Sequence, residues 1–433
     1  MSTFAVWTLV ILFGTLFLCM IAFRWPVFLS MLMACVVWGI VFPGKLPDST
    51  IVSSIQGGIN STTYVAIIFY FLLGELINRS SLGDRLCGLL TSITGHIPGS
   101  LSHVNVLDSM IFAGVSGSSV ADTASVGAMM IPMMKKEGYP AGYAAAITEV
   151  SSLIGPIIPP SNGFVMCAVI MGISVRRLFL GGVIPGVFLG LAMLAMSYFL
   201  SIKYKVPRRD WCGWKHVFSS FYHGFGALAL PLITMICLFF GIGTVVEIGA
   251  ITCIAAVIIL IVYREFKIKT LFDALLASAV AGAKVMCILC VTGIFTFILA
   301  SSGVIGAMSS AIGSLNMSAA ALGAFCMLVF FILGFILDPS VLINVIIPVM
   351  LPALVATGVD LIWFSVVVIM TINLGNITPP VGQLIYLTSS LADCSAKETI
   401  KASIPYFLLC TGVIIVLIII PQIVTFLPDM IMG

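Results

Sequence analysis

Two segments of the sequence bring carbonyl groups and hydroxyl side chains together in apolar surroundings. Each holds adjacent prolines, Pro159-Pro160 and Pro379-Pro380, a few residues after a glycine. Because proline lacks an amide hydrogen and clashes with the preceding turn, a helix must unwind there and leave carbonyl oxygens without partners. Hard cations such as sodium prefer oxygen ligands, and protons are the alternative coupling ion. The candidate ligands are the carbonyls of Gly155, Ile158, Gly375 and Thr378 and the hydroxyls of Ser116, Ser118 and Thr378.

Four predicted helix starts in the same segments offer chemistry for an anion. They follow Ser118-Ser119, Ser161-Asn162, Asp338-Pro339-Ser340 and Pro380, and Asn376 lies beside the second pair of prolines. The first amides of a helix carry free N–H groups and a partial positive charge, which suits a carboxylate. These starts therefore predict a site for a small organic anion.

Acidic side chains within the apolar runs are the next candidates. Asp122 follows the serine-rich tip, and Asp338 lies in the corresponding tip of the second half. Acids at membrane depth are costly and mark ion or substrate sites, so both are assigned to the site, although an aspartate in the first turn is also an ordinary helix cap. Glu75 and Glu149 fit a functional role and hydrogen bonding between helices equally well. Lys284 is interpreted as structural or snorkelling.

The composition defines the solvent around these residues. Of 433 residues, 61% are hydrophobic and 8% are charged, which indicates a polytopic membrane protein. A net charge of +3 without a basic tract argues against nucleic-acid binding. The 12 cysteines are scattered, and Cys287 and Cys290 lie in an apolar helix without a histidine nearby. We therefore expect no transition metal and no organic cofactor.

An internal duplication organises the chain, because glycines and prolines recur at a constant separation of 220 residues. The matches are Gly83 and Gly303, Gly114 and Gly334, Gly138 and Gly358, Gly155 and Gly375, Pro132 and Pro352, Pro159 and Pro379, and Pro160 and Pro380. The first repeat is predicted at 1–202, with a hairpin at about 103–134 and a broken helix at about 140–173. A cytoplasmic linker at 203–221 precedes the second repeat at 222–433, with a hairpin at about 320–355 and a broken helix at about 360–391.

The basic residues predict the orientation. If each half crosses the membrane five times and each hairpin re-enters on one side, only Lys45, Arg176 and Arg177 fall in outer loops. This favours cytoplasmic placement of the other loops and both termini in the periplasm. The fold class is therefore an all-α polytopic membrane protein with two inverted repeats, each with a re-entrant helical hairpin and a broken transmembrane helix.

Three motifs closely resemble a known family: Gly114-Val-Ser-Gly-Ser-Ser-Val-Ala-Asp-Thr-Ala-Ser, Gly155-Pro-Ile-Ile-Pro-Pro-Ser and Gly375-Asn-Ile-Thr-Pro-Pro-Val-Gly. They are similar to the large membrane subunit of tripartite ATP-independent periplasmic (TRAP) transporters, and the resemblance covers nearly the whole chain. It implies a sodium-driven, elevator-type importer of the bacterial inner membrane. It also implies a periplasmic substrate-binding protein and a small four-helix membrane subunit, expected here as a separate polypeptide.

The same resemblance implies site residues. One sodium site would use Ser116, Gly155, Ile158 and Pro160, and its mate would use Gly334, Asp338, Gly375, Thr378 and Pro380. Substrate contacts would fall on Ser118, Ser119, Ser161, Asn162, Ser340 and neighbouring residues. Because the second tip is Asp-Pro-Ser rather than serine-rich, equivalent ligands in the two halves are not expected.

Three other interpretations stay open at this point. The first is a dicarboxylate or citrate symporter of the same superfamily that needs no binding protein. The second is a membrane-embedded enzyme, which would need a nucleophile with a base or a metal cluster at membrane depth. The third is a channel. It is disfavoured because two broken helices and two hairpins build a closed site rather than an open pore. The sequence does not distinguish among organic acids as substrates.

Overall fold

A computed structural model describes residues 2–208, 211–307, 310, 318–335, 337, 339–379 and 382–433. Its regular elements are helices, and a short helical stretch at 304–307 follows α13. In chain order they are α1 (Thr3–Ile21), α2 (Val27–Val41), α3 (Asp48–Ile59), α4 (Tyr64–Asn78), α5 (Leu82–Thr94), α6 (Ser100–Ser116), α7 (Ser119–Lys136), α8 (Ala141–Ser151), α9 (Asn162–Met171), α10 (Val175–Lys203), α11 (Trp214–Phe240), α12 (Val245–Val262), α13 (Ile268–Ser301), α14 (Ala319–Gly334), α15 (Pro339–Ala356), α16 (Leu361–Gly375), α17 (Gln383–Ala392), α18 (Ala396–Ile419) and α19 (Gln422–Met432).

The helical architecture follows from the apolar sequence, because a helix satisfies its own backbone hydrogen bonds in hydrocarbon. Among the described residues, seven helices are long and apolar enough to cross a membrane. A further span is possible where α4 and α5 form a pair bent by 70°. The polytopic membrane protein predicted from composition is confirmed at this level.

Each half contains two consecutive helices joined by a short tip, followed by an interrupted helix. In the first half the pair is α6 and α7, and the interrupted helix is α8 and α9. In the second half α14 and α15 form the pair, and α16 and α17 form the interrupted helix. The first tip turns at Gly117, whose φ of 57° lies in the left-handed region that favours glycine. These helices fall in the ranges predicted for the hairpins and the broken helices, while re-entry of the hairpins into the membrane and the inverted orientation of the halves stay predictions.

Packing divides the helices around the hairpins into two groups. On one side α13 packs against α2, α3 and α4, and α4 packs against α12. On the other side α8 packs against α7, α17 and α18, so elements of both halves meet there. The connection between the halves is shorter than the predicted 203–221 linker, because α10 extends to Lys203 and α11 begins at Trp214.

A hydrogen-bonded carboxylate joins two loops outside the membrane-spanning helices. Glu265 accepts hydrogen bonds from the Ser81 amide at 3.0 Å, from the Ser81 hydroxyl, and from Arg85 at 2.8 Å. Burial opposes ionisation, but these hydrogen bonds outweigh it and lower the pKa of Glu265 below its ordinary value of 4.5. The resulting stabilisation is present above that value and is lost as the pH falls through the lowered pKa.

We therefore expect Glu265→Gln to destabilise the protein near neutral pH by about 1 kcal/mol, because a charged acceptor is lost at a partly exposed site. Melting curves of the purified protein check this. The difference between the variant and the wild type should shrink as the pH falls below the ordinary glutamate value. The control Glu75→Gln removes an i,i+4 ion pair with Arg79 that is more exposed, so its effect should be smaller. A difference that persists unchanged at acid pH would contradict this role for Glu265.

Candidate functional site

The first tip packs directly against the first break. A Cβ added to Gly117 would lie 2.8 Å from the Pro160 carbonyl oxygen and 3.1 Å from the Asn162 amide nitrogen. A Cβ on Gly155 would lie 3.6 Å from the backbone carbonyl of Ser118. The approach at Gly117 is close enough to favour glycine, whereas the distance at Gly155 is an ordinary van der Waals contact. Gly117 therefore allows the tip of the hairpin to pack on the unwound segment, and the recurring Gly155 lies beside this contact.

The second half repeats this contact more tightly. A Cβ on Gly375 would overlap the carbonyl oxygen of Gly334 and lie 2.9 Å from the Gly334 Cα. Gly334 ends α14 and Gly375 ends the first part of the second interrupted helix. The two glycines correspond to Gly114 and Gly155 at the separation of 220 residues.

The two breaks differ in the carbonyl oxygens that they leave available. Within the described part of the chain, the carbonyls of Gly155 and Ile158 accept no backbone hydrogen bond. In the second break, the Gly375 carbonyl accepts from the Thr378 amide at 3.0 Å, and the Thr378 carbonyl accepts from Gly382 at 3.0 Å. A carbonyl with one hydrogen bond keeps a second lone pair. The first break therefore offers the freer oxygen ligands for a cation.

A partly open cavity of about 150 Å³ lies where the tips, the breaks and two neighbouring helices meet. It receives Phe71 from α4 and Val285 from α13, and every other lining residue comes from a hairpin or an interrupted helix. These other lining residues are Gly117, Ser118, Ser119, Val120, Pro156, Asn162, Gly163, Met166, Pro339, Ser340, Ile343, Ile369, Asn373, Asn376 and Gln383. The polar lining consists of neutral hydroxyls and amides, so the cavity can bind a polar or anionic group without a fixed charge among these residues.

A chain of hydrogen bonds connects the first tip to the second break. The Ser119 hydroxyl donates to the Asn373 side-chain oxygen at 3.2 Å, and the Asn376 amide donates to the same oxygen at 3.4 Å. Gln383 donates to the Asn376 side-chain oxygen at 3.2 Å. The polar face of the cavity is therefore assembled from both halves of the chain.

Asn162 differs from the other amides in this cavity. It is 8% exposed, and neither its side-chain nitrogen nor its oxygen has a hydrogen-bond partner among the described residues. An unpaired buried amide costs about 1–3 kcal/mol. Such a group at a cavity wall is positioned to bind a ligand that can both accept and donate hydrogen bonds.

Five of the predicted substrate residues line the cavity together: Ser118, Ser119, Asn162, Ser340 and Asn376. Two others do not. The Ser161 hydroxyl accepts from the Phe164 amide at 3.2 Å and donates to the Pro156 carbonyl at 2.6 Å, so it caps α9. Asp122 is fully buried beyond the tip, away from the cavity wall.

Other predicted residues fall outside what the structure describes. Asp338 and Pro380, both assigned to the second sodium site, lie outside the described residues, as does the side chain of Ser116.

The other charged candidates lie away from the central cavity. Glu149 accepts hydrogen bonds from Ser403 at 2.5 Å and Thr388 at 3.0 Å, which agrees with the interpretation that it links helices. Lys284 lies exposed on α13.

Sequence reasoning missed Asn373 and Gln383. The signal was present, because Asn373 and Asn376 are three residues apart near the end of an apolar helix and therefore share one face. Gln383 begins α17 directly after the second break. Polar residues that flank a broken helix on its cavity side are the ones to add to such a prediction.

The capping role of Ser161 leads to a stability prediction. Ser161→Ala should destabilise the protein by about 2 kcal/mol, at the upper end of cap losses, because the Pro156 carbonyl also loses its donor. Ser395→Ala is the matched control, since its exposed hydroxyl caps α18 at 3.3 Å and should cost about 0.5–1 kcal/mol. Thermal unfolding in detergent compares the two. Equal losses would show that the buried hydroxyl contributes no more than an exposed cap.

The hairpin tips, the broken helices and the cavity between them belong to a polytopic membrane protein, and comparison with known proteins identifies its class as a transporter. The fold is similar to that of the YdaH transporter of Alcanivorax borkumensis, with a TM-score of 0.67 and 13% identity over 91% of this chain and 96% of that one. Residues 13–423 match the family described as the tripartite ATP-independent periplasmic transporter, DctM component. The chain belongs to this family, as the sequence motifs indicated.

Two relatives document how far the similarity extends. The 2,3-diketo-L-gulonate TRAP transporter large permease protein of Escherichia coli (strain K12) is 30% identical over 90% of this chain and 91% of its own. The sialic acid TRAP transporter permease protein of Haemophilus influenzae (strain 86-028NP) is 30% identical over 86% of this chain, which spans 61% of that longer protein. Both relatives are transporter permeases, which supports a transporter and disfavours the membrane-embedded enzyme.

Proposed function

We propose that this chain is the permease of a sodium-coupled uptake system for a small organic acid in the bacterial inner membrane. The observation that carries the proposal is the unpaired Asn162 amide at the wall of a neutral, polar cavity between the two breaks. A carboxylate or sugar acid presents both acceptors and hydroxyl donors, which complement this amide and the neighbouring hydroxyls. The two relatives described above are transporters of 2,3-diketo-L-gulonate and of sialic acid.

The coupling ion is sodium in this proposal. Support comes from the oxygen-only chemistry of the breaks and from the open carbonyls of Gly155 and Ile158. Ser118 lies close by in the tip, since a Cβ on Gly155 would lie 3.6 Å from its backbone carbonyl oxygen, and its hydroxyl is a further candidate ligand. A cation bound there would lie next to the cavity and would attract the anion, so each ligand would increase the affinity for the other.

Substrate delivery and movement complete the proposal. A periplasmic binding protein would hand the acid to this chain, and a small four-helix membrane subunit would support it. The cavity lies between α4 and α13 on one side and the hairpins and interrupted helices on the other. This division supports an elevator mechanism, in which the hairpins and interrupted helices slide together against α4 and α13.

Uptake into proteoliposomes tests the proposal. The chain is reconstituted with the small membrane subunit, and the binding protein is added outside, loaded with its radiolabelled acid. We expect uptake only with an inward sodium gradient and with the binding protein. Equal uptake when choline replaces sodium would contradict sodium coupling. Uptake without the binding protein would instead favour a symporter that works alone.

A further inference from the structure

Asn373 lies at the centre of the hydrogen-bonded chain that crosses the central cavity. It is 5% exposed, lines the cavity and belongs to α16. Its side-chain nitrogen donates to the Ile369 carbonyl oxygen at 2.7 Å. If the nitrogen and oxygen of this amide were exchanged, two accepting oxygens would lie 2.7 Å apart. The nitrogen must therefore face Ile369, and the side-chain oxygen must face the other members of the chain.

The fixed oxygen of Asn373 determines how its neighbours are oriented. It lies 3.2 Å from the Ser119 hydroxyl and 3.4 Å from the Asn376 side-chain nitrogen, so both groups must donate to it. With its nitrogen directed at Asn373, Asn376 directs its oxygen at Gln383, whose amide nitrogen donates to it at 3.2 Å. Side chains from both halves thus share one direction of donation, which is set at the Ile369 carbonyl.

This direction gives the polar wall of the cavity two different ends. At Asn376, one side-chain N–H is used on Asn373, and the second has no acceptor among the described residues. At Ser119, the only O–H is used on Asn373, so towards a ligand its oxygen can only accept. Gln383 begins α17, and the start of that helix adds a partial positive charge beside Asn376. The Asn376 end therefore suits an anionic group, and the Ser119 end suits a hydroxyl group or a cation.

We propose that Asn373 is a positioning residue that turns an N–H of Asn376 towards the carboxylate of the substrate. The proposal rests on the proposed function, because it assigns the two ends of the transported acid within the same cavity. The carboxylate lies against Asn376, and the rest of the acid extends towards Ser119, where its hydroxyl groups can donate. Without the oxygen of Asn373, the Asn376 amide loses the acceptor that orients it. It could then turn its own oxygen towards the carboxylate, which would repel the acid.

A double-mutant cycle on uptake tests whether Asn373 acts through Asn376. The acid is released by heating the purified binding protein, identified by mass spectrometry and supplied on that protein with a radiolabel. Initial rates in proteoliposomes with the small membrane subunit are compared for Asn373→Leu, Asn376→Leu and the double variant. Thr371→Val is the matched control on α16. The Thr371 hydroxyl donates to the Val367 carbonyl at 2.7 Å, but the residue does not line the central cavity.

We expect each single leucine variant to reduce uptake by about 10- to 100-fold, as for the loss of a hydrogen bond to a charged group. The double variant should lose no more than about twofold beyond the weaker single variant, because both replacements remove the same interaction with the acid. Thr371→Val should reduce uptake by at most about twofold, and its effect should multiply with that of Asn376→Leu. A double-variant loss equal to the product of the two single losses would overturn the positioning role, as would wild-type uptake by Asn373→Leu.

Aspartate at position 376 tests the direction of the wall. Ionised aspartate has nearly the shape of asparagine but only accepts hydrogen bonds, so Asn376→Asp should reduce uptake at least as strongly as Asn376→Leu. Uptake near the wild-type level would overturn the placement of the carboxylate at this end. If Asn373→Leu fails to fold, Asn373→Ala completes the cycle, and the aspartate variant tests the direction without it. All of these failures leave wild-type uptake intact, whereas no uptake by the wild type would remove the proposed function itself.

Discussion

Replacing Gly375 with alanine is expected to reduce uptake by about 100-fold. The added methyl group would overlap the Gly334 carbonyl oxygen, which belongs to backbone and cannot move aside as a side chain could. Overpacking of this kind costs up to about 3 kcal/mol, which corresponds to about a 100-fold lower population of the arrangement in which the second tip contacts the break. Initial rates of uptake in proteoliposomes measure the effect.

Two other glycines supply the comparison. At Gly155 the nearest atom to an added Cβ is the Ser152 carbonyl oxygen at 3.1 Å, so alanine there should reduce uptake less. Gly412 on α18 has nothing within 4 Å of an added Cβ, so its alanine variant should match the wild type. Wild-type uptake by the Gly375 variant would show that transport does not require close contact between tip and break.

Replacing Asn162 with leucine is expected to reduce uptake by about 30- to 100-fold while leaving the melting temperature unchanged or higher. The amide has no protein partner to lose, and an apolar side chain of similar size removes the cost of burying it. In the variant, by contrast, a substrate whose charged group binds the Asn162 amide would lose hydrogen bonds worth about 2–3 kcal/mol. The measurements are uptake kinetics and thermal unfolding of the same preparation.

Asn105→Leu provides the contrasting case. Its amide donates to Thr148 at 2.7 Å and its oxygen accepts from Ser151 at 2.9 Å, so this replacement should destabilise the protein by about 2–3 kcal/mol. If Asn162→Leu lowers the melting temperature as much as Asn105→Leu does, Asn162 is a structural residue and the assignment of the cavity fails.

The backbone features of the site could be predicted from the sequence because proline and glycine act locally. Paired prolines interrupt a helix whatever the tertiary structure around them. Glycines at a separation of 220 residues mark positions where two backbone segments can approach. The recurring Gly334 and Gly375 contact each other, and in the first half Gly117, which does not recur, contacts Pro160 of the paired prolines. Which side chains enter the cavity depends on helix rotation, which these features do not determine.

The errors in the list of site residues follow from the same limit. Ser161 and Asn162 are adjacent and equally polar, yet one caps a helix and the other faces the cavity. Asn373 was overlooked because it lies inside an apolar helix and meets Ser119 only through tertiary contact.

The two halves share backbone geometry more than chemistry. Gly155 and Gly375 correspond, but the first break leaves carbonyls open while the second uses them in local turns. The amides Asn373, Asn376 and Gln383 come from the second half, and the serine-rich tip comes from the first. In the proposed transporter, the first half would therefore supply the cation ligands and both halves would supply the substrate surface.

The most direct test is a pair of cryo-electron microscopy maps of the chain with its small membrane subunit, one in sodium chloride and one in choline chloride. We expect density for an ion between the Gly155 and Ile158 carbonyls and the Ser118 hydroxyl in sodium, and its loss in choline. Identical maps without such density, or residues 155 to 161 forming a continuous helix that faces lipid, would contradict a site built from interrupted helices.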